Sequence, residues 1–119
     1  MLVPKTPITR SEPYRRYGAS LPCYRCGIEG YSQAAHADAG KGMGIKTDDL
    51  TVYPLCAAHF TGGRAFLLPG CHDYVGRSMG RDERRAYEIG GAAWTQDRLI
   101  QMSQEDKKLR TLLLKLGVL

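Results

Sequence analysis

The sequence predicts a small α+β domain stapled by a metal ion. Three observations lead there: one short segment with strand character, a C-terminal half with helical patterning, and four cysteines spread over the part before it. At 119 residues the chain has room for one domain and not for a two-domain enzyme. A domain this short buries a modest fraction of its surface, and 14 Gly with 6 Pro dilute the core, so a cross-link would help it hold together. No run approaches the roughly 18 to 20 apolar residues of a membrane span, and MLVPKTPITRSEPYRRYG has no apolar stretch ahead of a cleavage site. A cytoplasmic protein with no membrane partner is expected. In a reducing compartment, closely spaced cysteines hold metal more often than they form disulfides.

Along the chain, residues 1–22 read as a basic, largely extended arm. Val3-Pro4, Thr6-Pro7 and Leu21-Pro22 interrupt it, and one helical turn is expected after Ser11. Residues 23–102 form the central domain. Gly40 to Lys46 is glycine-rich loop, and Leu50-Thr51-Val52-Tyr53-Pro54-Leu55 is β-branched and aromatic enough for a short strand, with Pro54 marking its end or an edge position. Gly62-Gly63 and Pro69-Gly70 bracket a second loop. From Arg81 a helix is expected with Ala86, Ile89 and Ala93 on one face and a kink or break at Gly90-Gly91. Residues 103–119 read as a C-terminal helix. Ser103-Gln104-Glu105-Asp106 resembles a capping box, and Leu109, Leu112, Leu113 and Leu116 make an apolar stripe for the domain's own core, a homodimer seam being the alternative.

Charge is unevenly placed. There are 17 Lys plus Arg against 12 Asp plus Glu, a net of +5. Residues 1–22 hold four basic and one acidic side chain, residues 23–76 four and five, and residues 77–119 nine and six. A nearly neutral centre containing every Cys and His, between basic flanks, suits a protein acting on a polyanion, although the same net charge also serves solubility.

Cys23-Tyr24-Arg25-Cys26 has the C-x2-C spacing that turns two thiolates onto one tetrahedral ion. Cys56 and Cys71 complete a four-cysteine set. His59 is a rival fourth ligand, because Cys56-Ala57-Ala58-His59 restores the tight spacing and would leave Cys71 as a small buried residue. Cys71 is preferred, since His72 follows it directly and a histidine beside a metal knuckle can be aimed. His36 lies between the two halves of the zinc set.

Taken together, Ala35-His36, the run Gly40-Lys41-Gly42-Met43-Gly44-Ile45-Lys46-Thr47-Asp48-Asp49, Leu55-Cys56 and Cys71-His72-Asp73 resemble the HNH, or His-Me finger (ββα-metal), nuclease superfamily. Within it the likeness is to small phage and prophage nucleases. Phage recombination nucleases also share the P-L-C-x2-H pattern found at Cys56 to His59. The resemblance covers about residues 11–100. It implies a β-hairpin followed by a helix around one catalytic divalent ion, with the cysteines forming a separate structural zinc (Zn2+) site. It further implies that His36 is the general base, that Asp49 takes the place of the family's Asn, and that His72 binds the catalytic metal.

The chemistry is coherent without the family. Phosphodiester hydrolysis needs a deprotonated water and a cation that stabilises charge on the phosphate and leaving oxygen. With an unperturbed pKa of about 6.5, a neutral His36 can take that proton. Asp49 would ligate Mg2+ or Mn2+ through oxygen or orient the loop, and His72 would supply nitrogen, a mix that also suits a softer ion. Lys41, Lys46 and Arg64 are candidate phosphate contacts, Asp73 a ligand or its partner, and Trp94 a core residue before a base-stacking one. The expected function is a metal-dependent DNA endonuclease of phage or prophage origin, with RNA as the alternative substrate. Its rivals are a non-catalytic zinc-knuckle nucleic-acid-binding module and a zinc-stabilised protein adaptor.

Overall fold

A computed structural model describes residues 8–37, 48–60 and 67–119. Among the described residues, four helices, two small antiparallel strand pairs and one 3-10 turn make an α+β fold. Helix α1 runs Glu12–Ala19, strand β1 Ser32–His36, the 3-10 turn Asp49–Thr51, β2 Val52–Cys56, β3 His59–Phe60 and β4 Leu67–Leu68. Helices α2 (Cys71–Ser78), α3 (Arg81–Met102) and α4 (Lys107–Lys115) follow. Among the described residues no helix is long and apolar enough to cross a membrane.

The N-terminal region is more ordered than an extended arm with one turn. Ser11 caps α1 by accepting from Tyr14 N, and Pro13 sits in the first turn, where its missing N–H costs nothing. Tyr14 and Gly18 are then carried to the buried side of the helix. Tyr14 shares a cluster with Leu21, Val52, Leu99, Leu109 and Leu113. Helices α1 and α4 therefore pack together with β2 and α3, and the leucine stripe of α4 buries in the domain's own core.

Strands β1 and β2 pair with Ser32 opposite Cys56 and His36 opposite Val52. A second strand pair, β3 with β4, comes between this hairpin and α2. The strand begins at Val52 rather than Leu50, because Asp48 caps a 3-10 turn over the preceding residues. Pro54 lies inside β2, where a two-stranded ladder leaves it an edge to face. Its carbonyl accepts from Tyr24 N at 2.8 Å, tying the cysteine knuckle to the hairpin. All five β2 residues are buried. Tyr53, Leu55 and Cys56 pack in a second cluster with Cys23, Ala35, Cys71 and Val75.

Helix α3 is continuous through Gly90-Gly91, and its buried residues are Glu88, Gly91, Thr95 and Leu99. Ile89, expected on the inner face, is 57% exposed, and Ala86 and Ala93 are exposed with it. The helix shows its glycine to the ring of Tyr53: a Cβ on Gly91 would lie 2.7 Å from Tyr53 Cδ2. Alanine there gains about 1 kcal/mol of helix propensity, but overpacking of this kind costs about 1–3 kcal/mol. Gly91→Ala should therefore lower the melting temperature. Gly90→Ala, whose Cβ would meet only the Tyr24 hydroxyl at 3.3 Å, should not. Equal melting temperatures for the two variants would refute this packing. Ser103 ends α3 instead of starting the last helix, whose N-cap is Asp106, accepting from Leu109 N at 3.0 Å.

Candidate metal centre and adjoining cleft

Three pieces of chain bring the cysteines together. The knuckle closes with Cys23 N donating to Ile28 O at 2.9 Å and Gly27 N donating to Cys23 O at 2.8 Å. Gly27 takes φ of +79°, a left-handed conformation that favours glycine. Cys56 ends β2 and Cys71 opens α2. The sulfurs of Cys23, Cys26, Cys56 and Cys71 all lie within 4.8 Å of one another, a cluster that can hold a metal ion. Cys26 Sγ and Cys56 Sγ are 3.8 Å apart, which matches the edge of a tetrahedron with Zn–S bonds of about 2.3 Å.

Backbone amides are aimed at the sulfurs. Cys56 N donates to Cys23 Sγ at 3.4 Å and Cys71 N to Cys56 Sγ at 3.3 Å. Burial pushes the Cys23 thiol up, but amide donors from Cys26, Cys56 and Arg25 outweigh it and bring the pKa down to about 7. Burial dominates at Cys56, pushed up to about 12, and also raises Cys71. The Arg25 guanidinium donates to Cys71 Sγ at 3.5 Å and lies 3.8 Å over the Tyr74 ring, placing one positive charge beside the sulfurs. The fourth member of the cluster is Cys71 and not His59. The His59 ring donates from Nδ1 to Ala57 O at 2.7 Å and stacks on Tyr31 at 4.4 Å, because the chain there turns into β3.

Beside the cluster lies a cleft of about 290 Å³. His36 reaches it from the end of β1, His72 from the first turn of α2, and Arg84 and Glu88 from α3, over a floor that includes Tyr53 and Leu55. The two histidines, 36 residues apart in the chain, thus share one opening.

Behind His36 stands Asp49, fully buried. Its Oδ2 accepts from Ser11 N at 2.7 Å and from the Arg15 guanidinium. His36 Nε2 donates to Oδ1 at 2.9 Å. Burial alone would raise the Asp49 pKa, but hydrogen bonds from His36 and Ser11, with the charge and hydrogen bond of Arg15, hold it below the usual carboxylate range. An ionised carboxylate only accepts, so the neutral ring carries its proton on Nε2 and keeps its lone pair on Nδ1. Asp49 was expected as a metal ligand beside His72. The structure spends its oxygens on Ser11, Arg15 and His36, which makes it the group that orients the imidazole.

His72 is exposed, and its Nδ1 donates to Gln33 Oε1 at 2.9 Å, leaving Nε2 able to bind a metal. Asp73 pairs with Arg77 at 2.8 Å. Trp94 packs on Tyr24 at 5.2 Å, in keeping with a core role. Lys41, Lys46 and Arg64 lie outside the described residues. Sequence reasoning missed Arg84 and Glu88; the available signal was an i, i+4 pair of opposite charge.

A closed site for a second ion is not assembled: among the described residues only the four cysteines group three or more ligand atoms closely enough. At the cleft, His72 offers one further nitrogen ligand. Compared with family models, curated proteins and solved structures, the chain matches none of them.

Proposed function

We propose that this protein is a metal-dependent endonuclease that hydrolyses phosphodiester bonds of DNA, with its fold stapled by a structural zinc ion on Cys23, Cys26, Cys56 and Cys71. The observation that carries the reading is the shared cleft of His36 and His72, with His36 tied at 2.9 Å to a buried carboxylate. In this reading His36 Nδ1 takes a proton from water, while Asp49 holds the ring in the required tautomer and stabilises the imidazolium that forms. His72 Nε2 would hold the divalent ion, which supplies charge stabilisation to the phosphate and leaving oxygen. Tyr53 and Leu55 line the same cleft as the two imidazoles.

Nicking of supercoiled plasmid with added Mg2+ or Mn2+ tests the reading. Cleavage should require the ion and vanish in His36→Ala. A binding module without catalysis is favoured by one observation, the single imidazole offered to the second ion. Gel shifts without nicking under every divalent ion would establish that module instead.

A further inference from the structure

The α3 wall of the cleft carries a pair that proton transfer does not use. Arg84 is the one Lys or Arg lining the cleft among the described residues. Its Nε donates to Glu88 Oε1 at 3.2 Å. The two side chains differ sharply in exposure, 32% for Arg84 and 4% for Glu88. The pair on α2, Arg77 with Asp73, leaves both partners in solvent, at 81% and 52%. A carboxylate on the inner face of a helix is costly to desolvate, and an apolar side chain would pack there more cheaply. Here the buried anion grips a half-buried guanidinium by Nε at the cleft wall. A guanidinium is planar and carries five N–H donors, a shape that matches phosphate oxygens.

We infer that Arg84 is the phosphate-binding side chain of the cleft, contacting the non-bridging oxygens of a nucleic-acid phosphodiester, and that Glu88 is a positioning residue for its guanidinium. This rests on reading the cleft as a phosphodiester site. Arg84 approaches from α3 while His36 and His72 enter from β1 and α2, so a phosphate in the shared volume meets a cation on one side and the two imidazoles on the others.

The test measures binding of a short DNA duplex without added divalent ion across a salt series, beside cleavage with the ion. Arg84→Gln should weaken binding about tenfold or more, the worth of one charge-assisted hydrogen bond, and reduce the slope of log affinity against log salt by about 0.9. Arg84→Lys should keep the slope and lose part of the affinity. Glu88→Gln should weaken binding at unchanged slope, because the charge remains and only its placement is lost. Wild-type affinity and slope in a folded Arg84→Gln protein overturn the inference. Should that variant not fold, full wild-type affinity in Arg84→Lys overturns it. Binding without cleavage by the wild type, with the slope reduced in Arg84→Gln, removes the nuclease reading and leaves the phosphate site standing. Cleavage by the wild type with Arg84→Gln unchanged does the reverse, and no binding at low salt removes both.

Discussion

His36→Ala should slow DNA cleavage by about 10²–10⁴-fold, the usual contribution of a positioned general base, while remaining folded with a somewhat lower melting temperature, since buried Asp49 loses one donor. The side chain is 28% exposed, so its removal leaves a solvated notch and little lost packing. Asp49→Asn should give a loss of similar order by a different route. Its side-chain oxygen can still accept from Ser11 N and the Arg15 guanidinium, leaving the amide to face His36 Nε2. An amide donor there forces the ring to place its proton on Nδ1, and the lone pair leaves the cleft. Single-turnover rates and circular-dichroism melts on the same samples separate lost chemistry from lost folding. Cleavage by a folded Asp49→Asn protein at the wild-type rate would remove Asp49 from the mechanism.

The second large effect concerns the cysteines. Stripping the metal with a strong chelator at neutral pH should abolish cooperative unfolding, and adding zinc back should restore it. Apparent zinc-binding free energies of small zinc modules are roughly 10–16 kcal/mol, as large as the roughly 5–15 kcal/mol that holds a small domain folded. The ion would join the knuckle, the end of β2 and the start of α2, three segments whose buried cluster consists of only seven residues, three of them cysteines. With the Cys56 thiol pushed up to about 12 and the Cys71 thiol raised as well, these two sulfurs keep their protons in the metal-free cluster, so zinc binding must release them and should weaken as pH falls. Cys71→Ser should lose the bound ion and His59→Ala should retain it, as metal analysis of the purified variants would show. Retention by both would break the four-cysteine assignment.

Much of this arrangement was legible in the chain. The C-x2-C spacing, the pairing of Cys71 with His72 and the leucine stripe of α4 are local patterns, and local patterns survive folding. What escaped depends on contacts between distant segments. Only one turn of α1 is legible after Ser11, because the surrounding prolines read as extended chain; burial of Tyr14 and Gly18 extends the helix to Ala19. The inner face of α3 was misread because apolar Ile89 attracts the eye. Glu88 and Thr95 can turn inward since each is satisfied within the helix, Glu88 by Arg84 and Thr95 by donating to Gly91 O at 2.8 Å. Asp49 looked like a metal ligand because nothing near it in sequence shows that Arg15, 34 residues away, holds its carboxylate.

Chemical rescue tests most directly whether His36 works as a base in an open cleft. Imidazole added to folded His36→Ala protein should restore metal-dependent cleavage in a saturable way, with a pH profile that follows the free base of the added imidazole. Undiminished cleavage by His36→Ala in the absence of imidazole, or a folded variant that no imidazole concentration revives, would contradict that role.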